Sequence, residues 1–199
     1  TFNRKNVQLV DLKTNPIIKI TKKGIKTKNE ELKFDKIIFA TGYDALTGPI
    51  LSLNLTGRKN IKLKKYWKNG PKTFLGIMIP NFPNFFIISG PGSPSVLTNV
   101  PAQIEQHVEW ISKFIKYLEK VECRTVEPGR KETENWVNEI NTLANKSLFM
   151  KAKNSWYKGD NIPGKPKKFI PYPAGLPQYR EICNKVQKKM YKGFNISLK

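Results

Sequence analysis

Residues 84–120, NFFIISGPGSPSVLTNVPAQIEQHVEWISKFIKYLEK, decide the architecture. The apolar run 84–90 stops at Gly90, and a turn rich in Gly, Pro and Ser, GPGSPSVLTNV, occupies 90–100. From Pro101 onward Ile104, Val108, Ile111, Ile115 and Leu118 recur at helical spacing and define one apolar face. Proline suits the first turn because its missing N–H would have no partner there anyway. A buried strand, a small-residue turn and a long amphipathic helix make an α/β unit. The turn presents backbone N–H groups at a helix start, where partial positive charge gathers, so it is read as holding a ligand at its main chain.

Working outward, NVQLVDL (6–12) and PIIKIT (16–21) read as strands, with KKGIKT (22–27) a hairpin return around Gly24. FDKIIFA (34–40) has the continuous apolar pattern of a strand buried on both faces. TFLGIMI (73–79) and NFFIISG (84–90) read as two more strands, parted by PNFP, whose prolines cannot join a ladder. KETENWVNEINTLANKS (131–147) is a second helix with its acids early and Lys146 late, as the helix dipole favours. QYREICNKVQKKMYK (178–192) is a third. Between them, residues 148–177 form a long irregular, proline-rich run. Runs of that length inside a domain tend to be lids or binding loops, so this one is expected to be mobile.

The chain has 199 residues, 39% hydrophobic and 11% aromatic, a globular composition large enough for a sizeable core. Lys and Arg number 36 against 15 acids, a formal charge of +21. Such a balance raises nucleic acid and anionic membranes as partners. The lysines are spread along the chain, however, and no helix-turn-helix, zinc-finger or RNA-binding sheet signature is present. A compositional drift toward Lys, Asn and Ile accounts for the charge, so neither nucleic acid nor membrane is expected as a partner. Cys123 and Cys183 lack redox or metal spacing, which fits reduced thiols in a cytoplasmic protein. No apolar run approaches the ~20 residues that cross a bilayer. The chain opens on Thr1 rather than Met, so an N-terminal portion is expected to precede it.

His107 is the only histidine and sits one residue off the apolar face. No Ser-His-Asp, Cys-His or paired-carboxylate arrangement can be built around it, and metal-ligand spacing is absent, so it reads as structural and no metal site is expected. An enzyme of this composition needs a cofactor to carry its chemistry.

Three blocks then occur in order: FDKIIFATGYDALTG, FPNFFIISGPGSPSVLTNVPAQIEQHVEWI, and SWYKGDNIPGKPKKFIPYPAGLPQYREIC through to GFNISL. Together they resemble the C-terminal part of the Baeyer–Villiger monooxygenases, and the resemblance runs the length of the chain. The resemblance implies an α/β, Rossmann-like flavoprotein with two dinucleotide-binding domains, of which only the C-terminal portion is present. It implies that 1–40 is the tail of an NADP-binding domain and 41–147 the second half of an FAD-binding domain. Residues 148–199 would be a mobile loop and a C-terminal helix packing on the FAD domain.

The implied activity is FAD-dependent, NADPH-using insertion of one oxygen atom of O2 into a small ketone, giving an ester or lactone. The implied FAD contacts are Thr98, Asn99 and Val100, with Thr41 and Gly42 at the crossing between domains. The implied NADP contacts are Trp156 and Lys165. Family members commonly carry Met or Leu where this chain has Val100, a difference on the substrate side of the flavin. The family's Gly-rich fingerprints and catalytic arginine precede the matched region, so no catalytic residue is expected here, and Arg4 is not assigned that role. The isolated chain is accordingly expected to be inactive and to need the missing N-terminal portion as its partner. Two other readings stand beside this one: an N- or S-oxygenating flavin monooxygenase, and a basic polyanion-binding domain supported by charge alone.

Overall fold

A computed structural model describes all 199 residues and separates Thr1–Gly42 from Tyr43–Lys199. In the first unit, β1 (Ile17–Thr21) and β2 (Gly24–Thr27) form the antiparallel hairpin expected around Gly24. A Cβ at Gly24 would lie 1.9 Å from the Leu32 carbonyl oxygen, which leaves glycine as the residue that fits. β3 (Glu31–Lys33) pairs on the other edge of β2 and completes a three-stranded sheet.

Two strands expected in this unit are not formed. Residues 6–12 make turns and irregular chain, and after the Phe34 N–H bond to the Lys23 carbonyl residues 35–40 run unpaired, with Ile38 90% and Phe39 66% exposed. A strand apolar on both faces needs neighbours on both edges and covering layers, and this unit supplies neither.

The second unit carries α1 (Thr47–Ser52), α2 (Leu63–Tyr66), α3 (Val100–Lys120), β4 (Cys123–Pro128), α4 (Arg130–Asn145), α5 (Gly175–Lys188) and β5 (Phe194–Leu198). β4 and β5 pair antiparallel, from Cys123 opposite Leu198 to Pro128 opposite Phe194. The chain is thus a mixed α/β structure. No helix in it is long and apolar enough to cross a membrane.

The main core is aromatic. Phe114 stacks on Tyr191 at 4.2 Å between centroids, with Trp110 and Phe194 tilted against it. Trp136 stacks flat on Tyr172 at 4.9 Å. Burying a side chain of this size contributes about 1.5–3 kcal/mol. A smaller cluster of Leu63, Trp67, Ile79, Phe82 and Ile87 lies under α1 and α2.

The inward face of α3 differs from the one expected. Ile111 and Leu118 of the expected face are buried, together with Gln103, Gln106, His107, Trp110 and Phe114, while Ile104, Val108 and Ile115 stay 38%, 44% and 41% exposed. Trp110 and Phe114 take the core side with Ile111 and Leu118 beside them, leaving Ile104, Val108 and Ile115 outward.

The two expected strands flanking PNFP are also not regular strands. Residues 73–79 fold back on themselves at Leu75 and Gly76, both at positive φ, with the Phe74 N–H donating to the Met78 carbonyl at 2.9 Å. Residues 84–90 form an isolated bridge from Phe86 to Met78, with the Ile87 N–H on the Ile77 carbonyl and the Asn84 N–H on the Val126 carbonyl of β4. Both segments carry the apolar run of a central strand, but this unit holds no long strand to lie beside them.

Candidate functional site

The glycines of the 90–100 turn face inward. A Cβ on Gly90 would lie 2.4 Å from the Gly76 carbonyl oxygen, and one on Gly92, at φ +89°, would lie 2.8 Å from Thr73 Oγ1. Trp136 Nε1–H donates to the Gly92 carbonyl at 3.1 Å, and the Thr73 hydroxyl donates to the Pro91 carbonyl. The Gly92 N–H donates to Ile170 and the Tyr172 N–H to Ser93, so the C-terminal loop ties the turn down. Residues 90–95 are buried. The missing Cβ makes room for the Gly76 backbone at Gly90 and for the Thr73 and Trp136 side chains at Gly92.

The exposed half of the turn begins at Val96. Thr98 is extended, and Asn99 caps α3 with its Oδ1 accepting the Ala102 N–H at 3.1 Å. Pro101 has no N–H, and Gln103 donates to the Asn99 carbonyl. The backbone N–H groups of Thr98, Asn99 and Val100 make no hydrogen bond within the chain. Three successive free donors at the start of a 21-residue helix, on residues that are exposed or half-buried, form an anion- and carbonyl-accepting corner. That donor set fits the carbonyl-rich pyrimidine edge of a flavin.

The loop around Trp156 is the second candidate element. Of the four tryptophans, Trp67, Trp110 and Trp136 donate their indole N–H to backbone carbonyls; Trp156, half-buried, does not. Trp156 stacks on Tyr157 at 4.2 Å, and Tyr157 in turn faces Phe149 and Phe169. A supported flat ring with a free donor suits a nucleotide ribose or carboxamide. The loop is anchored at both sides of this ring: Ser155 N–H donates to Asp160, and Phe169, Ile170 and Tyr172 are buried in the core. Lys158 pairs with Asp160 at 3.0 Å and holds that carboxyl below its ordinary range against the effect of desolvation.

Lys165 is not free. Its ammonium pairs with Asp44, and Asn161 Nδ2 donates to the Tyr43 carbonyl at 3.3 Å. Nothing in the spacing of Asp44 and Lys165 announces this pair, which joins residues 121 positions apart. Thr41 and Gly42 end the other unit; both are exposed, and Gly42 has φ +84° with open space where a Cβ would be. The structure thus places Thr98, Asn99 and Val100 at one corner and leads Trp156 and Lys165 along one loop.

His107, two turns into α3, is completely buried. Its Nδ1 accepts the Ser89 N–H at 3.2 Å, and its Nε2 lies 2.7 Å from the Tyr179 hydroxyl. Tyr179 must donate to the Leu75 carbonyl, 2.5 Å away, because a carbonyl only accepts. Its oxygen therefore accepts from His107 Nε2–H, which fixes the neutral tautomer. Turning the Gln103 carboxamide so that Oε1 faces Nε2 gives that oxygen the partner it otherwise lacks. Burial lowers the His107 pKa to about 4. Burial likewise pushes the Cys183 thiol up to about 12, leaving it a packing residue.

No family model matches the chain. Individual relatives do. Cyclohexanone 1,2-monooxygenase of an Acinetobacter species is 39% identical over 199 residues, 100% of this chain and 36% of that protein. Over its whole length the chain is similar to the Baeyer–Villiger monooxygenases. A protein named Baeyer–Villiger monooxygenase from Pseudooceanicola batsensis is 41% identical over 96% of the chain and 34% of its own length. Phenazine N-monooxygenase of Lysobacter antibioticus is 36% identical over 98% of the chain and 36% of its own.

Among solved structures, a closed form of cyclohexanone monooxygenase superposes with a TM-score of 0.94 at 37% identity, covering all of this chain and 37% of that one. OTEMO, solved as a complex with FAD and NADP, gives 0.91 at 32% identity, covering 98% of this chain and 36% of that one. The chain spans about a third of the length of the Baeyer–Villiger relatives it matches.

Proposed function

We propose that this chain supplies the C-terminal third of an FAD-dependent, NADPH-using monooxygenase that inserts one atom of O2 into a ketone. The other oxygen atom leaves as water, the reducing equivalents come from NADPH, and the product is an ester or lactone. The observation that carries the proposal is the corner of three free N–H groups at Thr98, Asn99 and Val100, within a chain matched along its whole length by ketone monooxygenases.

When bound, FAD supplies the oxygen chemistry. The chain's own part is positional. Thr98, Asn99 and Val100 donate to the flavin's pyrimidine edge, and the α3 N-terminus favours negative charge there. Val100 also bounds the space beside the ring, with a shorter side chain than the Met or Leu common in the family. Trp156 covers the NADP side with a flat face and one donor and keeps water from the reacting ketone. Lys165, held by Asp44, ties the loop carrying Trp156 to residues 43–44 instead of meeting a phosphate.

In this reading residues 1–40 close an NADP-binding domain of Rossmann type, 41–147 form the second half of the FAD-binding domain, and 148–199 form its covering loop and helix. Thr41 and Gly42 lie at the crossing between the two. The exposed stripe Ile104, Val108 and Ile115 and the exposed apolar segment 34–40 are then surfaces against which a preceding N-terminal portion packs.

The test replaces the matched segment of the Acinetobacter cyclohexanone monooxygenase with this chain. The hybrid is expected to hold flavin and to turn cyclohexanone into its lactone; a folded hybrid that holds no flavin would count against the proposal. A second reading, oxygenation at an aromatic nitrogen, draws on the likeness to phenazine N-monooxygenase. N-oxide formation from phenazine by the same hybrid, with no lactone from cyclohexanone, would favour it.

A further inference from the structure

The loop that carries Trp156 is held in two different ways. Its neck is main chain: the Lys168 N–H donates to the Lys158 carbonyl at 3.0 Å and the Ile170 N–H to the Tyr157 carbonyl at 2.8 Å. Residues 159–167 run out from that neck, and no hydrogen bond between main-chain groups joins them to any residue outside 156–168. Their tip is held by side chains. The Lys165 ammonium meets the Asp44 carboxylate, and Asn161 Nδ2 donates to the Tyr43 carbonyl at 3.3 Å.

Two glycines make room for this ion pair. A Cβ on Gly48, in the first turn of α1, would lie 2.7 Å from Asp44 Cγ and 2.9 Å from its Oδ2. Gly159, at φ +69°, ends the short turn Trp156–Lys158 with its N–H on the Trp156 carbonyl at 3.1 Å. A Cβ there would come within 3.2 Å of Lys165 Cδ and Cε. The Asp44 side chain therefore lies across the start of α1, and the Lys165 stem lies on the residue that closes Trp156's own turn. The Lys165 side chain is 12% exposed and that of Asp44 41%, so the pair is partly withdrawn from water.

Opening the tip breaks one ion pair and one side-chain hydrogen bond, and leaves the neck and the aromatic cluster of Phe149, Tyr157 and Phe169 in place. A partly exposed ion pair contributes modestly to stability, so such a tip opens at little cost to the fold. Opening also lifts the Lys165 stem from Gly159 and releases the turn that aims the Trp156 ring.

We propose that Asp44 and Lys165 are positioning residues for Trp156. Their ion pair latches the tip of the loop and fixes the direction in which the indole ring and its free N–H are presented. The latch deepens the proposed function and rests on its placement of Trp156 at the nucleotide. Because the pair is electrostatic and partly exposed, its hold weakens as ionic strength rises, and the setting of Trp156 weakens with it.

The Trp156 indole N–H resonance tests this in the 199-residue chain, where no nucleotide takes part. Asp44→Asn and Lys165→Gln should each shift that resonance and speed its exchange with water several-fold, leaving the indoles of Trp110 and Trp136 unchanged. The double variant should go no further than either single one. Lys165→Arg should stay close to the original, and Lys167→Gln, at an exposed neighbour, should change nothing. Raising salt from about 0.01 M to about 1 M, which shortens the screening length from about 30 Å to about 3 Å, should reproduce the effect in the unmodified chain and do little in either variant. In the hybrid enzyme the two single variants should weaken NADP⁺ retention several-fold with flavin content unchanged. A Trp156 resonance indifferent to both substitutions, or effects that add in the double variant, would overturn the proposal. So would indifference to salt, a measurement that needs only the unmodified chain and decides the matter even if a variant fails to fold. A resonance that responds in the chain, while the hybrid holds NADP⁺ equally well in every variant, would keep the latch and count instead against the place of Trp156 at the nucleotide.

Discussion

The Tyr179 hydroxyl sits 2.7 Å from His107 Nε2 and 2.5 Å from the Leu75 carbonyl, so one side chain of α5 bolts α3 to the buried fold-back at residues 74–78. Every member of the chain Ser89–His107–Tyr179–Leu75 has its donor matched to an acceptor only while His107 is neutral.

That condition sets a pH dependence. The folded pKa of His107, about 4, lies below its ordinary 6.5, so the unfolded chain binds the extra proton first on acidification. Stability from this group is fully present above pH ~6.5 and is lost as pH falls from there toward 4, by up to about 3 kcal/mol. Chemical denaturation at a series of pH values checks this. His107→Gln, which cannot titrate, should be less stable at neutral pH and show a flatter profile across that window.

Gly92 should resist substitution for reasons unrelated to any ligand. Gly92→Ala forces a side chain into φ +89° and sets its Cβ 2.8 Å from Thr73 Oγ1. A loss of about 2 kcal/mol or more is expected in urea melts of the chain. Ser155→Ala, on an irregular segment whose backbone N–H rather than side chain makes the bond to Asp160, should cost little.

Trp156→Ala addresses the nucleotide side of the proposed function. In the hybrid enzyme it should weaken NADP⁺ retention and uncouple NADPH oxidation from lactone formation, with flavin content unchanged. Losing a stacked ring and one hydrogen bond corresponds to about tenfold in affinity. Unchanged coupling and NADPH affinity would make Trp156 a packing residue alongside Tyr157.

The outward stripe of α3 should behave as an interface. Replacing Ile104, Val108 and Ile115 together with Gln is expected to change the isolated chain's stability little, since each is already about two-fifths exposed. The same triple change in the hybrid should lower flavin content and melting temperature sharply, because it would place polar groups in a buried seam. Matching losses in both proteins would place the stripe in the chain's own core instead.

What the sequence made legible was whatever depends on local chemistry. The hairpin around Gly24, the helix start at Asn99–Pro101 and the amphipathic helices at 131–147 and 178–192 all carry their signals within a few residues. What it hid depends on partners distant in the chain. FDKIIFA, TFLGIMI and NFFIISG have strand composition, but a strand is a relationship between segments, and no adjacent strand is available to complete them here.

The β4–β5 pair went unread for the converse reason. CRTVEP and FNISL each alternate only weakly, and their match appears when Val126 meets Ile196 across the ladder. For α3, periodicity offered a purely aliphatic face, and the buried face is rotated from it: Ile111 and Leu118 go inward beside the bulkier Trp110 and Phe114, and Ile104, Val108 and Ile115 do not. At the candidate site, the helix start was legible and the Asp44–Lys165 pair was not.

Visible absorption of the purified proteins tests the central claim most directly. The hybrid should carry about one oxidised flavin per chain and lose it when Asn99 and Val100 are replaced by Pro, which removes two of the three free N–H donors at the helix start. The 199-residue chain alone should be colourless. A hybrid that keeps its full flavin complement after those two substitutions, or an isolated chain that purifies yellow, would contradict the assignment of this turn as the flavin-facing element.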